Sequence, residues 1–212
     1  MKRAAQEARY LVDRGYPGDS AVRYVSDHHR LPDEQRFVLR RTVVAKEVAR
    51  RRMAKTIGLP ALRGKTVFVD GYNVLITTES MRAGFPVYLC DDGFLRDIRG
   101  IFRSYKPSQD TSSALLEILN LLAEAGPAKV AILLDLQMSG SGEMAGKMRS
   151  MIADLGLSGD ARTARDVDHQ LKVGSAGAII ATSDGNVIDA ASSVIDLPAE
   201  IALRQSIIPL RI

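Results

Sequence analysis

Thr66-Val67-Phe68-Val69-Asp70-Gly71-Tyr72-Asn73 runs a short β-branched and aromatic segment straight into a carboxylate and a glycine. Such a run reads as a buried strand. Val130-Ala131-Ile132-Leu133-Leu134 and Ala178-Ile179-Ile180-Ala181 have the same character. Between the strands, Leu115, Leu116, Ile118, Leu119 and Leu122 mark one apolar helix face, with Asp110 or Thr111 as its cap and Gly126-Pro127 as its stop. A second crossover helix is expected from about Gly142 to Leu155. Strands alternating with helices predict an α/β fold, a three-layer sandwich around a central, mainly parallel sheet with right-handed crossovers.

Upstream the pattern changes. Residues 1–60 hold 14 Lys and Arg against 7 Asp and Glu, whereas residues 61–212 hold 15 against 18. Three helices are expected there, over residues 2–14, 20–27 and from Pro32 to Gly58, with Phe37, Val44 and Val48 at helical spacing in the third. The division is therefore a small, basic, all-α domain over residues 1–59 and the α/β domain over 60–212. Arg50-Arg51-Arg52 and Lys55 form either a solvated face or a phosphate-binding arm. The adjacent His28 and His29 point in different directions on any regular element, and no third ligand stands nearby in sequence, so a solvent or capping role is expected.

The 212 residues are 46% hydrophobic and 25% charged, enough to bury a core and unlike disordered or fibrous chains. No apolar run approaches the roughly 20 residues a bilayer crossing requires, so no membrane partner is expected. The N-terminus carries charges where a secretory signal needs its apolar stretch. Cys90, the one cysteine, can make no internal disulfide and excludes a four-thiolate zinc site. A cytoplasmic setting is expected.

Ligands of parallel sheets bind at the carboxyl ends of the strands, and the three best strands end in Val69-Asp70, Leu134-Asp135 and Thr182-Ser183-Asp184. Asp168 follows in Asp166-Val167-Asp168-His169-Gln170-Leu171, where Thr163 and Asp166 look like a helix entry. Taken singly, each aspartate is a plausible cap or turn former. Gathered on one rim, the four resist one another's ionisation and demand cations. An oxygen-only set selects Mg2+ or Mn2+ over zinc, and such sites activate water against phosphodiesters. Gly71 permits a tight turn beside Asp70, and Asn73 is placed to orient a water or a phosphate.

Val67-Phe68-Val69-Asp70-Gly71-Tyr72-Asn73-Val74, Leu134-Asp135, Val167-Asp168-His169-Gln170-Leu171 and Ala181-Thr182-Ser183-Asp184 resemble, in this order, the signature of PIN-like nucleases, especially their NYN branch, over roughly residues 64–190. The complete chain also resembles an uncharacterised prokaryotic family that joins a small helical domain to such a nuclease-like domain. The resemblance implies a metal-dependent ribonuclease with Asp70, Asp135, Asp168 and Asp184 as the acidic set and Asn73 beside them. Two departures stand out: an insert from Thr78 to Pro107, and no acidic helix residue after the first strand, for which Asp91, Asp92 or Asp97 would have to substitute.

Within that insert, Arg96, Arg99 and Arg103 recur every three or four residues, so a helix over Gly93–Tyr105 would align them to grip an RNA backbone. The alternative is pairing with Asp92 and Asp97. Ser183 joins Arg50, Arg51 and Arg52 in the expected nucleic-acid contacts. The Gly-x-Gly-x-x-Ala string in residues 140–145 stands too far from its strand to bind a dinucleotide and is a phosphate cradle or a plain loop. Tyr72, Tyr88, Tyr105, Phe94 and Phe102 either stack bases or fill the core. The expected activity is that of an endoribonuclease with RNA as its substrate; the alternative is an RNA-binding protein that no longer cleaves. A covalent aspartyl phosphatase is disfavoured because Tyr72 and Gln137 stand where it would want a second aspartate. Homodimerisation stays open.

Overall fold

β1 (Thr66–Asp70) is hydrogen-bonded in parallel on both sides, to β4 (Lys129–Asp135) and to β6 (Ile179–Ala181), with Asp70 opposite Leu133 and Val69 opposite Ala181. The computed structural model describes residues 1–100, 105–174 and 176–212. β5 (Gly159–Ala164) lies outside β4 and β7 (Val194–Ile195) outside β6, giving the order β5-β4-β1-β6-β7, parallel throughout. The central strand is continuous apolar sequence because both of its faces are covered.

One face packs on α5 (Gly71–Arg82), α6 (Thr111–Ala125), α7 (Ser141–Asp154) and α10 (Leu197–Arg204), through Val67, Val69, Ile132, Leu75, Leu119, Met148 and Ile201. The other packs on α8 (Val167–Gly174) and α9 (Gly185–Ala190), through Leu133, Ile180, Leu171 and Val187. The α/β sandwich expected from the sequence is the observed architecture. The connection leaving β1 runs over the first face and the one leaving β6 over the second, so the carboxyl ends of these neighbours open a crevice between them.

The N-terminal part holds four helices rather than three: α1 (Lys2–Val12), α2 (Gly18–His28), α3 (Asp33–Thr42) and α4 (Lys46–Met53). Fully buried Ala4, Ala5 and Ala8 let α1 approach Val22, Val25 and Leu39 closely. The expected third helix breaks at Val43, which is extended. There Asp91 offers the backbone other partners: its N–H donates to the Thr42 carbonyl (3.0 Å), and its carboxylate accepts from Val44 N–H (3.2 Å). After α4, Lys55 and Ile57 pair with Val194 and cover the edge of β7.

The stretch read as an insert is also different. α5 continues through Thr78–Met81, all buried, and is followed by an antiparallel hairpin of β2 (Val87–Leu89) and β3 (Leu95–Asp97). Leu95–Asp97 is therefore strand, not helix. Asp91-Asp92-Gly93 supplies the turn, with Gly93 at φ +82. Asp196, buried and pushed up to about 6 by its burial, accepts from Leu95 N–H (2.6 Å) and caps α10 at Ala199 N–H (3.0 Å), tying the hairpin to the sandwich.

Gly71 shows how tightly β1 turns into α5. A Cβ there would stand 2.6 Å from Leu134 Cδ2 and 2.8 Å from the Leu133 carbonyl oxygen. Gly71→Ala should lower unfolding free energy by at least about 1–3 kcal/mol, the usual cost of overpacking. An unchanged urea midpoint would show that this approach is not as close as described.

Candidate active site

A cavity of about 500 Å³ opens at the carboxyl ends of the strands and is lined by Asp70, Asp135, Asp168 and Asp184. Sequence-distant carboxylates from β1, β4, α8 and the end of β6 thus share one wall, as the strand-end reading expected. Asp97 and Asp166 join them, and Asp97 is the only one of Asp91, Asp92 and Asp97 that reaches the cavity.

Asp70 is the buried member. Its Oδ2 accepts from the Thr182 hydroxyl (2.9 Å), whose oxygen accepts in turn from Asp184 N–H (3.0 Å). Burial pushes the Asp70 carboxyl up to about 7 against the opposing pull of Thr182, and the charges of Asp184 and Asp168 add to the rise. Asp168 is raised as well, by desolvation first and then by Asp184. Carboxylates that disturb one another's ionisation in this way share one electrostatic site.

The cap and turn roles are real too. Asp184 caps α9, its Oδ1 accepting from Asn186 N–H (2.8 Å) and Val187 N–H (3.2 Å), and Asp135 Oδ1 accepts from Gln137 N–H (2.8 Å). Each uses one oxygen locally, so the other is left for the cavity. Among the described residues, no three carboxylates of this rim bring ligand atoms within 4.8 Å of one another. A divalent ion here would keep several of its waters, which is how magnesium binds, and the all-oxygen donor set fits Mg2+ or Mn2+. The cluster that does meet that spacing is Glu7, His28 and His29, with Glu7 Oε2 2.7 Å from His29 Nε2. The missing third group near the histidines is thus supplied by α1, out of reach of sequence spacing.

Several expected contacts turn inward. Asn73 lines the cavity beside the aspartates, but its Oδ1 accepts from both Ser183 N–H (2.9 Å) and the Ser183 hydroxyl (3.0 Å), so that oxygen holds the loop after β6 rather than a water or phosphate, and Ser183 is buried instead of facing RNA. Arg96 is 4% exposed, donates Nε to the Ser183 carbonyl (2.8 Å) and forks onto Asp92. The pairing with Asp92, not the basic stripe, is what its sequence neighbourhood encodes. Arg99 is half-buried, over the Phe85 ring at 4.6 Å, and Arg103 lies outside the described residues. Arg50-Arg51-Arg52 splits: Arg50 pairs with Glu47 on the surface, Arg51 is exposed, and Arg52 bridges Asp92 and Asp189. Tyr72, Phe94 and Tyr105 are buried, and Tyr72 meets Tyr105 edge-on at 5.6 Å; Phe94 and Tyr105 fill the interior, whereas Tyr72 also lines the cavity; Phe102 is outside the described residues. Residues 140–145 do not line the cavity.

Among the lining residues not expected as site groups are Phe37 and Arg41 from α3, Arg165 beside α8, and Asp166, which caps α8 at His169 N–H (2.9 Å). Phe37 carried a periodic signal, but as a core position; nothing marked Arg41. Buried Glu79, on the helix after β1, is bound by the Tyr105 hydroxyl (2.6 Å) and Ser108 and is not part of the cavity wall.

Residues 59–200 match the family described as "Domain of unknown function (DUF5616)", and residues 1–55 match "Protein of unknown function (DUF434)". The chain is similar to "Uncharacterized protein MJ0935" of Methanocaldococcus jannaschii, 32% identical over 202 residues that cover 94% of this chain and 95% of that protein. No solved structure matches. No helix among the described residues is long and apolar enough to cross a membrane.

Because Asp70 holds its proton more tightly folded than unfolded, metal-free protein should lose stability as pH rises from about 4 to about 7, the interval between its ordinary and its raised pKa. Asp70→Asn is neutral throughout, so in chelator it should raise the urea midpoint more at pH 8 than at pH 5. Equal changes at the two pH values would refute the raised pKa.

Proposed function

The chain belongs to the DUF5616 family, and from the chemistry of its acidic cavity we propose that it is a divalent-metal-dependent endoribonuclease hydrolysing RNA phosphodiester bonds. The observation that carries this reading is Asp70: an organism gains nothing in stability from a buried carboxylate that faces three others, whereas a cation-binding site needs it. The ordered resemblance to PIN-like nucleases supports the same chemistry, and the excess of cations in residues 1–60 supports a polyanionic substrate.

Asp70, Asp135, Asp168 and Asp184 would hold Mg2+ or Mn2+, which when bound supplies an activated water and charge stabilisation on the attacking and leaving oxygens. The remaining work falls to the chain. Thr182 fixes Asp70 and the Asp184 backbone together through one hydroxyl. Asn73 locks Ser183 and thereby the approach of Asp184 to β1. Arg41 and Arg165, the cations on the cavity wall, are placed to receive phosphate oxygens. Buried, unpaired Cys90 suits a reducing compartment, and we place the activity in the cytoplasm.

A second reading, an RNA-binding protein without turnover, draws on the wide spacing of the rim oxygens. Incubation of the full chain with mixed RNA separates the two. With Mn2+ or Mg2+, the first reading expects products that chelator prevents. Asp70→Asn and Asp184→Asn should each cut the rate by at least roughly 100-fold, the scale on which removal of one preorganised electrostatic group acts, with the fold retained by circular dichroism. Cleavage at the parent rate by either variant refutes the assignment; salt-sensitive binding with no products in any metal selects the second reading.

A further inference from the structure

Phe37 and Arg41 stand four residues apart on α3, hence on one helix face, and both reach the acidic cavity from the N-terminal helices. Arg41 is poorly satisfied there. Its Nη2 lies 3.9 Å from Asp97 Oδ2, beyond hydrogen-bond distance, and its Nε is buried with no hydrogen-bond partner among the described residues. The Nη groups of this partly exposed side chain make no hydrogen bond among the described residues, so a ligand in the cavity would complete them. A guanidinium beside carboxylates it does not grip is suited to a phosphate, which it can meet with two parallel N–H donors.

Phe37 has a second neighbour. It also lines a groove of about 480 Å³ between α2 and α3, so the half-buried ring forms the shared wall of the groove and the acidic cavity. Gly100, at φ +62, lies against the ring, where a Cβ would come within 3.4 Å of Phe37 Cζ. The groove is mainly apolar, with Arg23, Arg36 and Arg40 set against Asp19 and Asp33 along its lining. Ser26 borders it with a buried hydroxyl, and neither that hydroxyl nor the Arg23 that also lines the groove has a hydrogen-bond or ion-pair partner among the described residues. Arg36 and Arg40 share the rim, paired with Asp27 and Asp19 respectively.

We propose that α3 builds the substrate subsite next to the acidic rim: Arg41 binds a phosphate, Phe37 stacks the base of an adjacent nucleotide, and the groove carrying Arg23 and Ser26 takes the strand onward. The inference rests on the ribonuclease reading and deepens it, because the substrate it implies is single-stranded RNA. Only an unpaired strand exposes a base face to an aromatic ring, whereas duplex RNA is recognised through its backbone and shallow groove. The two cavities are each of the size that holds a small ligand, and the path between them passes the ring. The subsite also gives the helical module a place in the reaction.

The test uses the full-length Asp70→Asn protein in calcium buffer, so that binding is read without turnover, with a fluorescently labelled single-stranded RNA 12-mer of mixed sequence and its duplex. Added Phe37→Ala should weaken single-strand binding by about 5- to 150-fold, the span of base–aromatic stacking measured by alanine substitution. Phe37→Leu, which keeps an apolar contact to Gly100, should lose nearly as much, and Phe37→Tyr should restore it; a packing role alone would let Leu rescue. Arg41→Ala should weaken binding and reduce the slope of log affinity against log salt by about 1, as expected for one phosphate contact. Binding within twofold of the parent in both alanine variants, or duplex bound as tightly as single strand, overturns the subsite while leaving the hydrolytic reading standing if the unmutated chain still cuts RNA. A chain that neither binds nor cuts RNA in any of these metals removes both.

Discussion

Asp92 is fully buried and carries two guanidinium groups, and through them it ties the hairpin, α4 and the loop after β6 to one another. Arg96 forks onto both of its oxygens at 2.8 Å, and Arg52 adds a third contact at 2.8 Å. Burial by itself would raise the Asp92 carboxyl, and the two arginines more than reverse this, holding it below the ordinary range. Each arginine then reaches further. Arg96 donates to the Ser183 carbonyl and Arg52 grips Asp189 near the end of α9. Gly185 lies so close to Arg52 that a Cβ would stand 2.5 Å from its Nη2. A hairpin turn, a helix of the N-terminal module and the loop after β6 are thereby held by one charge. Buried pairs of this kind add little net stability, but removing one partner costs about 3–5 kcal/mol, so the arrangement acts as a specifier of geometry.

That geometry continues into the cavity through short polar links. Ser183, held from outside by Arg96, is held from inside by Asn73, and the next residue back, Thr182, binds Asp70. The β1 and β6 ends are therefore fixed to each other by side chains beyond the point where their ladder stops. Asp70 is kept in a position that its own charge opposes, and the hydroxyl of Thr182 offsets only part of the cost. The rest is stored as a tendency to take up a proton.

How much of this was legible in the chain follows from the range over which each feature is encoded. β1, β4 and β6 were visible because strands covered on both faces are continuous apolar runs, and α6 and α7 because their period and end signals are local. β5 was not: Gly159-Asp160-Ala161-Arg162-Thr163-Ala164 is an edge strand in which only Ala161 and Ala164 are buried, and its composition resembles a loop. Arginines three and four apart mimic a helical face, but Leu95–Asp97 pairs with Val87–Leu89 as a hairpin, which Asp196 anchors from about a hundred residues away. The four rim aspartates were readable because a parallel sheet delivers strand ends to one edge whatever its detailed packing. Arg41 and Phe37 reach the same cavity only through how α3 docks, which no spacing within α3 expresses.

The charge division between the two parts of the chain acquires a physical meaning from this docking. A wall of carboxylates repels the very polyanion it would cut, and divalent ions can neutralise it only locally, around the reacting phosphate. Further along a strand, cations must come from protein. The α/β part has an excess of acid, 18 against 15, and its most central arginine, Arg96, is spent on Asp92. The helical part carries 14 bases against 7 acids, and it sets Arg41 on the cavity wall and Arg23 in the adjoining groove. On the ribonuclease reading proposed above, an acidic centre flanked by a basic approach would suit a nucleic-acid strand, and the two signs are contributed by separate segments joined through the Asp92 ion pairs.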